Sequence, residues 1–152
     1  MLGNWSISEV VYKEILNLLP KGKTILELGS GEGTRELAKH YEIFSVEQNE
    51  RYVGKNNKKE NYIYGPLKNG WYNISKDDLP NHYDLLLIDG PIGKNRQNII
   101  PNLSLFNLTD TIIIVDDVNR SGDMLVAKEI SNKTGRKFKI ISCTEKKSAV
   151  FQ

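Results

Sequence analysis

The stretch ILELGSGEGT, residues 25–34, puts glycines at 29, 31 and 33 directly behind an apolar run. Glycines so placed let a chain turn sharply and come close to a ligand. The helix they open has free N–H groups that favour a carboxylate or another anion. A dinucleotide fingerprint would have its third glycine at position 34, where Thr34 stands, and there is no Walker lysine. A second apolar run ends in Glu47. A carboxylate there can accept two hydrogen bonds from a ribose diol, which suits an adenosine ligand without a 2′-phosphate.

Three further acids follow apolar runs. Asp89 closes LLLI, where a carboxylate is costly to bury unless it has a partner or a task. Aspartate before Gly-Pro is also a common turn former, so Asp89 has a structural reading beside the chemical one. Asp116 and Asp117 close IIIV. Together the three offer oxygen ligands suited, with water, to Mg²⁺ or another hard cation. One of the pair could instead face solvent or cap the helix that follows.

The elements that position these residues alternate. Ser6 and Glu9 form a capping-box pattern ahead of a helix whose apolar face is Val11, Ile15, Leu18 and Leu19. Strands are expected at Thr24–Leu28, Ile43–Val46, Tyr62–Tyr64, Leu85–Ile88 and Thr111–Val115. Helices are expected from the glycine loop to His40, over Glu50–Asn57, over Asn98–Phe106 with a break near Pro101, and over Ser121–Thr134 with Gly135 as C-cap. Phe138–Ser142 and Ala149–Phe151 are joined too closely for a parallel crossover and should form an antiparallel hairpin. The fold expected is α/β: a Rossmann-like, mostly parallel, doubly wound sheet closed by that C-terminal hairpin. Every unusual residue then falls at the carboxyl ends of the strands, where such sheets bind ligands.

Bulk properties narrow the class. The chain of 152 residues suits one domain, and its net charge of +2 neither demands nor excludes an anionic partner. Cys143 is the one cysteine, so no internal disulfide forms. Residues 1–9 lack the basic-then-apolar pattern of a signal peptide, and no apolar run approaches a membrane span, so a cytoplasmic location is expected. The lysines of 55–59 read as a solvated face, since no aromatic platform accompanies them; nucleic acid is not the expected partner. His40 and His82 sit away from the strand ends that matter. Trp71 and Tyr72 are placed in a loop, either lining an acceptor pocket or covering the sheet edge. Arg96 and Arg120 could pair with an anionic substrate group or lie on the surface.

ILELGSGEGT, FSVEQNE, YDLLLIDGP and IIIVDDV, taken in order, resemble the successive motifs of class I S-adenosylmethionine (SAM)-dependent methyltransferases. The resemblance runs from about Trp5 to Phe151. It implies that Glu27 and Gly29, Ser30, Gly31 and Gly33 face the methionine part of SAM. It also implies that Glu47, with Gln48 beside it, holds the ribose, and that Gly65, Pro66 and Leu67 lie near the adenine. Asp89 would border the cofactor and serve as base or metal ligand. The acids after the fourth and fifth strands resemble those of catechol-type O-methyltransferases, but Asp117 stands where that group has an amide. That group's lysine three residues beyond the first acid is Ile92 here; Lys94, two positions further on, is the catalytic candidate. IDGP with Lys94, Arg96 and DDVNR also resembles methyltransferases acting on sugars.

The expected activity is therefore SAM-dependent methylation of oxygen on a small molecule or saccharide, with Mg²⁺ as a candidate second cofactor. An RNA or amine N-methyltransferase is the rival, weakened by the lack of an N-P-P-Y-type tetrapeptide. A non-catalytic SAM-binding subunit is another. The chain has no cap over its site, so a homodimer or a partner subunit could complete it.

Overall fold

The structure is a computed structural model and describes residues 7–152. Helix α1 covers Glu9–Leu18, capped by Ser8, whose Oγ accepts from Val11 N at 3.2 Å. The expected Ser6 cap lies outside the described residues. Strand β1 is Thr24–Leu28, helix α2 Glu32–Leu37, β2 Glu42–Glu47 and β3 Tyr62–Tyr64. A short hairpin follows, β4 (Leu67–Lys68) and β5 (Trp71–Tyr72), then β6 at Leu85–Ile88. A run of 3₁₀ turns spans Gly93–Leu105 and leads to β7 at Ile112–Val115. Helix α3 is Ser121–Thr134, and β8 (Lys139–Cys143) and β9 (Lys146–Phe151) close the chain.

Seven strands form one sheet in the order β3-β2-β1-β6-β7-β9-β8. The first five are parallel, and β9 runs antiparallel to both β7 and β8. This is the mostly parallel α/β sheet with an antiparallel end that the alternating pattern calls for. The central strands are apolar on both faces because both faces are covered. Leu26, Leu86, Ile88 and Ile113 pack on the side of α3 and the 3₁₀ segment. Ile25, Leu85, Leu87 and Ile114 pack on the side of α1. From β1 the chain winds outward through β2 and β3, then returns to β6 on the other side of β1. The order reverses between β1 and β6, the point outside whose carboxyl ends such sheets bind ligands.

Local departures have local causes. The helix expected over Glu50–Asn57 is a single 3₁₀ turn, Glu50–Tyr52, because Gly54 takes a left-handed φ of +78°. Helix α2 stops at Leu37, short of His40. Pro101 has no N–H to donate, and the segment around it holds 3₁₀ turns instead of α-helix. The closing hairpin is longer than expected, because Lys146, Lys147 and Ser148 join β9 and the link shrinks to a tight turn with Thr144 at φ +53°. Gly135 is the left-handed C-cap of α3, its N–H reaching Ser131 O at 2.8 Å. Among the described residues no helix is long and apolar enough to cross a membrane.

Candidate active site

The glycine loop is fixed to the strand ends on either side. Gly29 has a φ of +90°, and a Cβ there would stand 3.0 Å from the main-chain oxygen of Asp89. Both its conformation and its contact with the end of β6 therefore require glycine. Its N–H bonds Val46 O at 2.8 Å. Gly31 is the N-cap of α2, and its N–H donates to Thr34 Oγ1 at 3.0 Å. Thr34 Oγ1 in turn donates to Glu27 Oε1 at 2.6 Å, as does Ser45 Oγ at the same distance. The residue that breaks the dinucleotide pattern is thus the strut between the loop and Glu27.

Glu27 lies buried beneath the loop. Burial pushes its carboxyl up to about 7, against the two hydroxyl bonds and with help from the negative charge of Glu47. Glu47 is also buried, and its two oxygens reach different backbone groups. Oε2 accepts from Ser30 N at 3.1 Å and Oε1 from Asn49 N at 2.8 Å. The acid at the end of β2 therefore lies directly against the glycine loop. Ser30 Oγ bonds the Tyr62 hydroxyl at 2.8 Å, tying β3 to the same point. Gln48 Oε1 is buried with no partner. Gly65 extends the β2–β3 pairing through its N–H to Glu47 O at 3.0 Å, and Pro66 and Leu67 beyond it are exposed.

Asp89, Asp116 and Asp117 do meet. Their carboxylate oxygens lie within 4.8 Å of one another. What lies among them is Arg96. Its Nη2 donates to Asp89 Oδ1 at 3.1 Å and to Asp89 O at 2.8 Å. Its Nη1 donates to Asp117 Oδ2 at 3.3 Å and to Asp116 O at 3.2 Å. Asp123 on α3 stands 3.5 Å from the same nitrogen and is bound by Arg120 at 2.6 Å. The side chain of Arg96 is only 5% exposed. It is neither a surface residue nor a free group for an anionic substrate, which corrects the expectation from sequence. The sequence signal is slight, since GKNRQN reads as a polar loop.

Four acids here (Asp89, Asp116, Asp117, Asp123) face three cations: Arg96, Arg120 and Lys146, the last 3.9 Å from Asp117. The excess negative charge shows in the ionisation. Burial first, then the charge of Asp116, lifts Asp89 to about 8, while Arg96 pulls the other way. Burial likewise raises Asp116, although Ser148 Oγ donates to its Oδ1 at 2.6 Å. Its other oxygen has no partner. For Arg96, burial alone would lower the pKa, but Asp89, Asp123, Asp117 and Asp116 raise it.

An arginine at the centre supplies permanent positive charge where a divalent ion would supply it. Asp89 and Asp117 each hold it through an oxygen that a metal would need, and Asp116 holds Ser148. The trio as arranged fits an arginine-centred cluster and not an Mg²⁺ site.

Lys94 stands apart. It is exposed and lines a cavity of about 250 Å³ with Gln97, Arg120 and the first turn of α3. His82 pairs with Asp84 just ahead of β6, at the amino ends of the strands, away from the site. Trp71 and Tyr72 are not a loop but the second strand of a hairpin, and both are buried. The turn between Lys68 and Trp71 is Asn69–Gly70, with φ values of +54° and +76°. These are the angles of the type I′ turn that an Asn-Gly pair favours. That dipeptide was the available signal for the hairpin.

No protein-family profile and no curated protein matches the chain. Solved structures do resemble it. A ribosomal protein L11 methylase from Lactobacillus delbrueckii subsp. bulgaricus superposes with a TM-score of 0.61 at 14% identity, over 94% of this chain and 76% of that one. A fibrillarin from Aeropyrum pernix with natively bound SAM gives a TM-score of 0.58 at 15% identity, over 97% and 74%. The Mtq2–Trm112 complex of E. cuniculi, responsible for methylating the termination factor eRF1, gives 0.57 at 15% identity, over 95% and 94%. What the chain shares with these methyltransferases is a Rossmann-like fold.

Proposed function

We propose that the chain is a SAM-dependent methyltransferase. One observation carries this reading: the buried Glu47 carboxylate accepts Ser30 N at 3.1 Å, at the crevice where the strand order reverses. A glycine loop and a strand-end acid are thereby brought together as an adenosine ligand needs them. The wider charge pattern agrees. The crevice is bordered by Glu27, Glu47 and an acid-rich cluster, an environment that favours a ligand carrying positive charge. The residues present fit SAM: Gly29, Ser30, Gly31 and Gly33 would bear on its methionine part, Glu47 and Gln48 on the ribose, and Gly65, Pro66 and Leu67 on the adenine. Glu27 shapes the loop from below through Thr34.

When bound, SAM would supply an electrophilic methyl on a cationic sulfur. The chain's part is to position an acceptor and take its proton. Asp89 serves as that base: its pKa is lifted toward neutrality and Arg96 holds its orientation, the condition for efficient proton transfer at working pH. The acceptor is a hydroxyl of a small molecule or saccharide in this reading. Lys94 and Arg120, at the cavity beside α3, would meet its outer part. A macromolecular acceptor is the second reading, favoured by the structural likeness to a protein methylase and to a putative tRNA methyltransferase of Streptococcus pneumoniae. The likeness to the Mtq2–Trm112 complex likewise supports a partner subunit, or a second copy, completing the acceptor side of the site.

Calorimetry with S-adenosylhomocysteine (SAH) tests the cofactor. SAM and SAH should bind at micromolar concentration, and NAD and NADP should not compete. Glu47→Ala should weaken binding by roughly 1.5–3 kcal/mol, the worth of hydrogen bonds to a charged group. Unchanged affinity in that variant would remove Glu47 from the ribose site.

A further inference from the structure

The crevice between β1 and β6 is filled by a side chain. Tyr72 is 2% exposed, and its hydroxyl has no hydrogen-bond partner. A Cβ built on Gly90 would fall 2.2 Å from that hydroxyl and 2.9 Å from Gly29 N. The phenol therefore lies against Gly90, where the two strand ends meet. Burial pushes its phenol up, and Glu47, Arg96, Asp89 and Glu27 are near enough to act on it as well, so the candidate site surrounds it. A buried hydroxyl without a partner is unfavourable, and here it brings no bond in return. The ring holds space that a ligand would need.

The element carrying Tyr72 is held by the packing of Trp71 and Tyr72 into the core on the α3 side, and not by pairing with the main sheet. β4 and β5 pair only with each other, two residues a side. A lone two-stranded hairpin is marginal in water without packing. Trp71 Nε1 is also buried with no partner. At the tip, Asn98 Nδ2 donates to Gly70 O at 3.0 Å, fastening the turn to the 3₁₀ segment. Gly70 fits closely there, since a Cβ would lie 2.6 Å from Asn98 Nδ2.

The geometry points to a gate: the β4–β5 hairpin closes the cofactor crevice of the free protein, with Tyr72 as the plug and Asn98 as the latch. This rests on the SAM reading above. The ligand enters when the hairpin moves out, so the competent state is a fraction of the population and apparent affinity is reduced by that fraction.

Stopped-flow binding of SAH, followed by tryptophan fluorescence (Trp71 lies on the hairpin), tests the gate, with calorimetry for the equilibrium. In the wild type the observed rate should level off with rising SAH, because opening becomes limiting. Asn98→Ala should raise that ceiling. Tyr72→Ala should remove it and tighten binding by about tenfold. Should Tyr72→Ala fail to fold by circular dichroism, Asn98→Ala decides alone. Rates that rise linearly with the same slope in all three proteins would overturn the gate and leave the cofactor reading standing. Binding to Tyr72→Ala but not to the wild type would support both. No binding to any of the three would end the cofactor reading and the gate with it.

Discussion

Arg96 holds Asp89 twice, through the main-chain oxygen at 2.8 Å and the carboxylate Oδ1 at 3.1 Å. The first bond fixes the turn after β6, and the second sets the direction and charge of the acid. Because the guanidinium also touches Asp116 O, Asp117 and Asp123, it ties together the ends of β6, β7 and the start of α3. Replacing it by Met leaves buried acids without their counter-charge. That should destabilise the fold by roughly 3–5 kcal/mol, the range for breaking a buried pair on one side. Lysine should not restore it, since a point charge cannot make the four bonds of a planar fork. Urea denaturation of Arg96→Met and Arg96→Lys checks both statements.

Asp89→Asn keeps the shape and loses the base. SAH affinity should stay within a few fold while turnover falls by roughly 10²–10⁴, the range for a lost acid–base group. In the wild type the rate should climb with pH well above the ordinary carboxylate range, because burial and Asp116 raise Asp89. A variant that loses cofactor binding and stability together would show Asp89 to be structural.

Glu27 predicts a pH dependence of stability. Burial raises its carboxyl from 4.5 to about 7 in the folded protein. The folded state therefore binds this proton more tightly than the unfolded state. The stabilisation is fully present below pH 4.5 and is lost as pH rises through about 7. The Glu27→Gln side chain can still accept from Thr34 and Ser45, and it does not titrate. Across this window its melting temperature should fall less with rising pH than that of the wild type. Parallel curves for the two proteins would show that Glu27 is ionised throughout.

Much of this architecture is legible in the chain because its signals are local. β1, β6 and β7 announce themselves as apolar runs, and the acids and glycines directly behind them fall at the strand ends by connectivity alone. Arg96 was not legible. It sits in a polar run, and its burial arises only when Gly93–Leu105 folds across the ends of β6 and β7 and the start of α3. The β4–β5 hairpin was half legible: Asn69–Gly70 is a strong turn signal, but two residues on each side are too few to show alternation. Gly54 outweighed the helical reading of Glu50–Asn57 through a single left-handed residue.

The arginine-centred cluster makes a prediction about metal. Asp89, Asp116 and Asp117 have the spacing of an oxygen site, with ligand atoms within 4.8 Å of one another. With Arg96 in place, a divalent ion would have to enter beside a buried guanidinium, and Coulomb repulsion in so dry a setting opposes that. Mg²⁺ should therefore leave the melting temperature of the wild type unchanged, and EDTA should not halt methylation. Removing the guanidinium reverses the situation. In Arg96→Met the same carboxylates are left with excess negative charge and free oxygens, the donor set a hard cation prefers. Millimolar Mg²⁺ or Ca²⁺ should then raise the variant's melting temperature by mass action. Adding Asp116→Ala to Arg96→Met should cancel the rise, because it removes one of the three donors. A thermal-shift titration of wild type, single and double variants reads all of this directly. If Mg²⁺ stabilises the wild type and EDTA stops turnover, the metal reading of the three acids is correct, and Arg96 must give up its place when the ion binds.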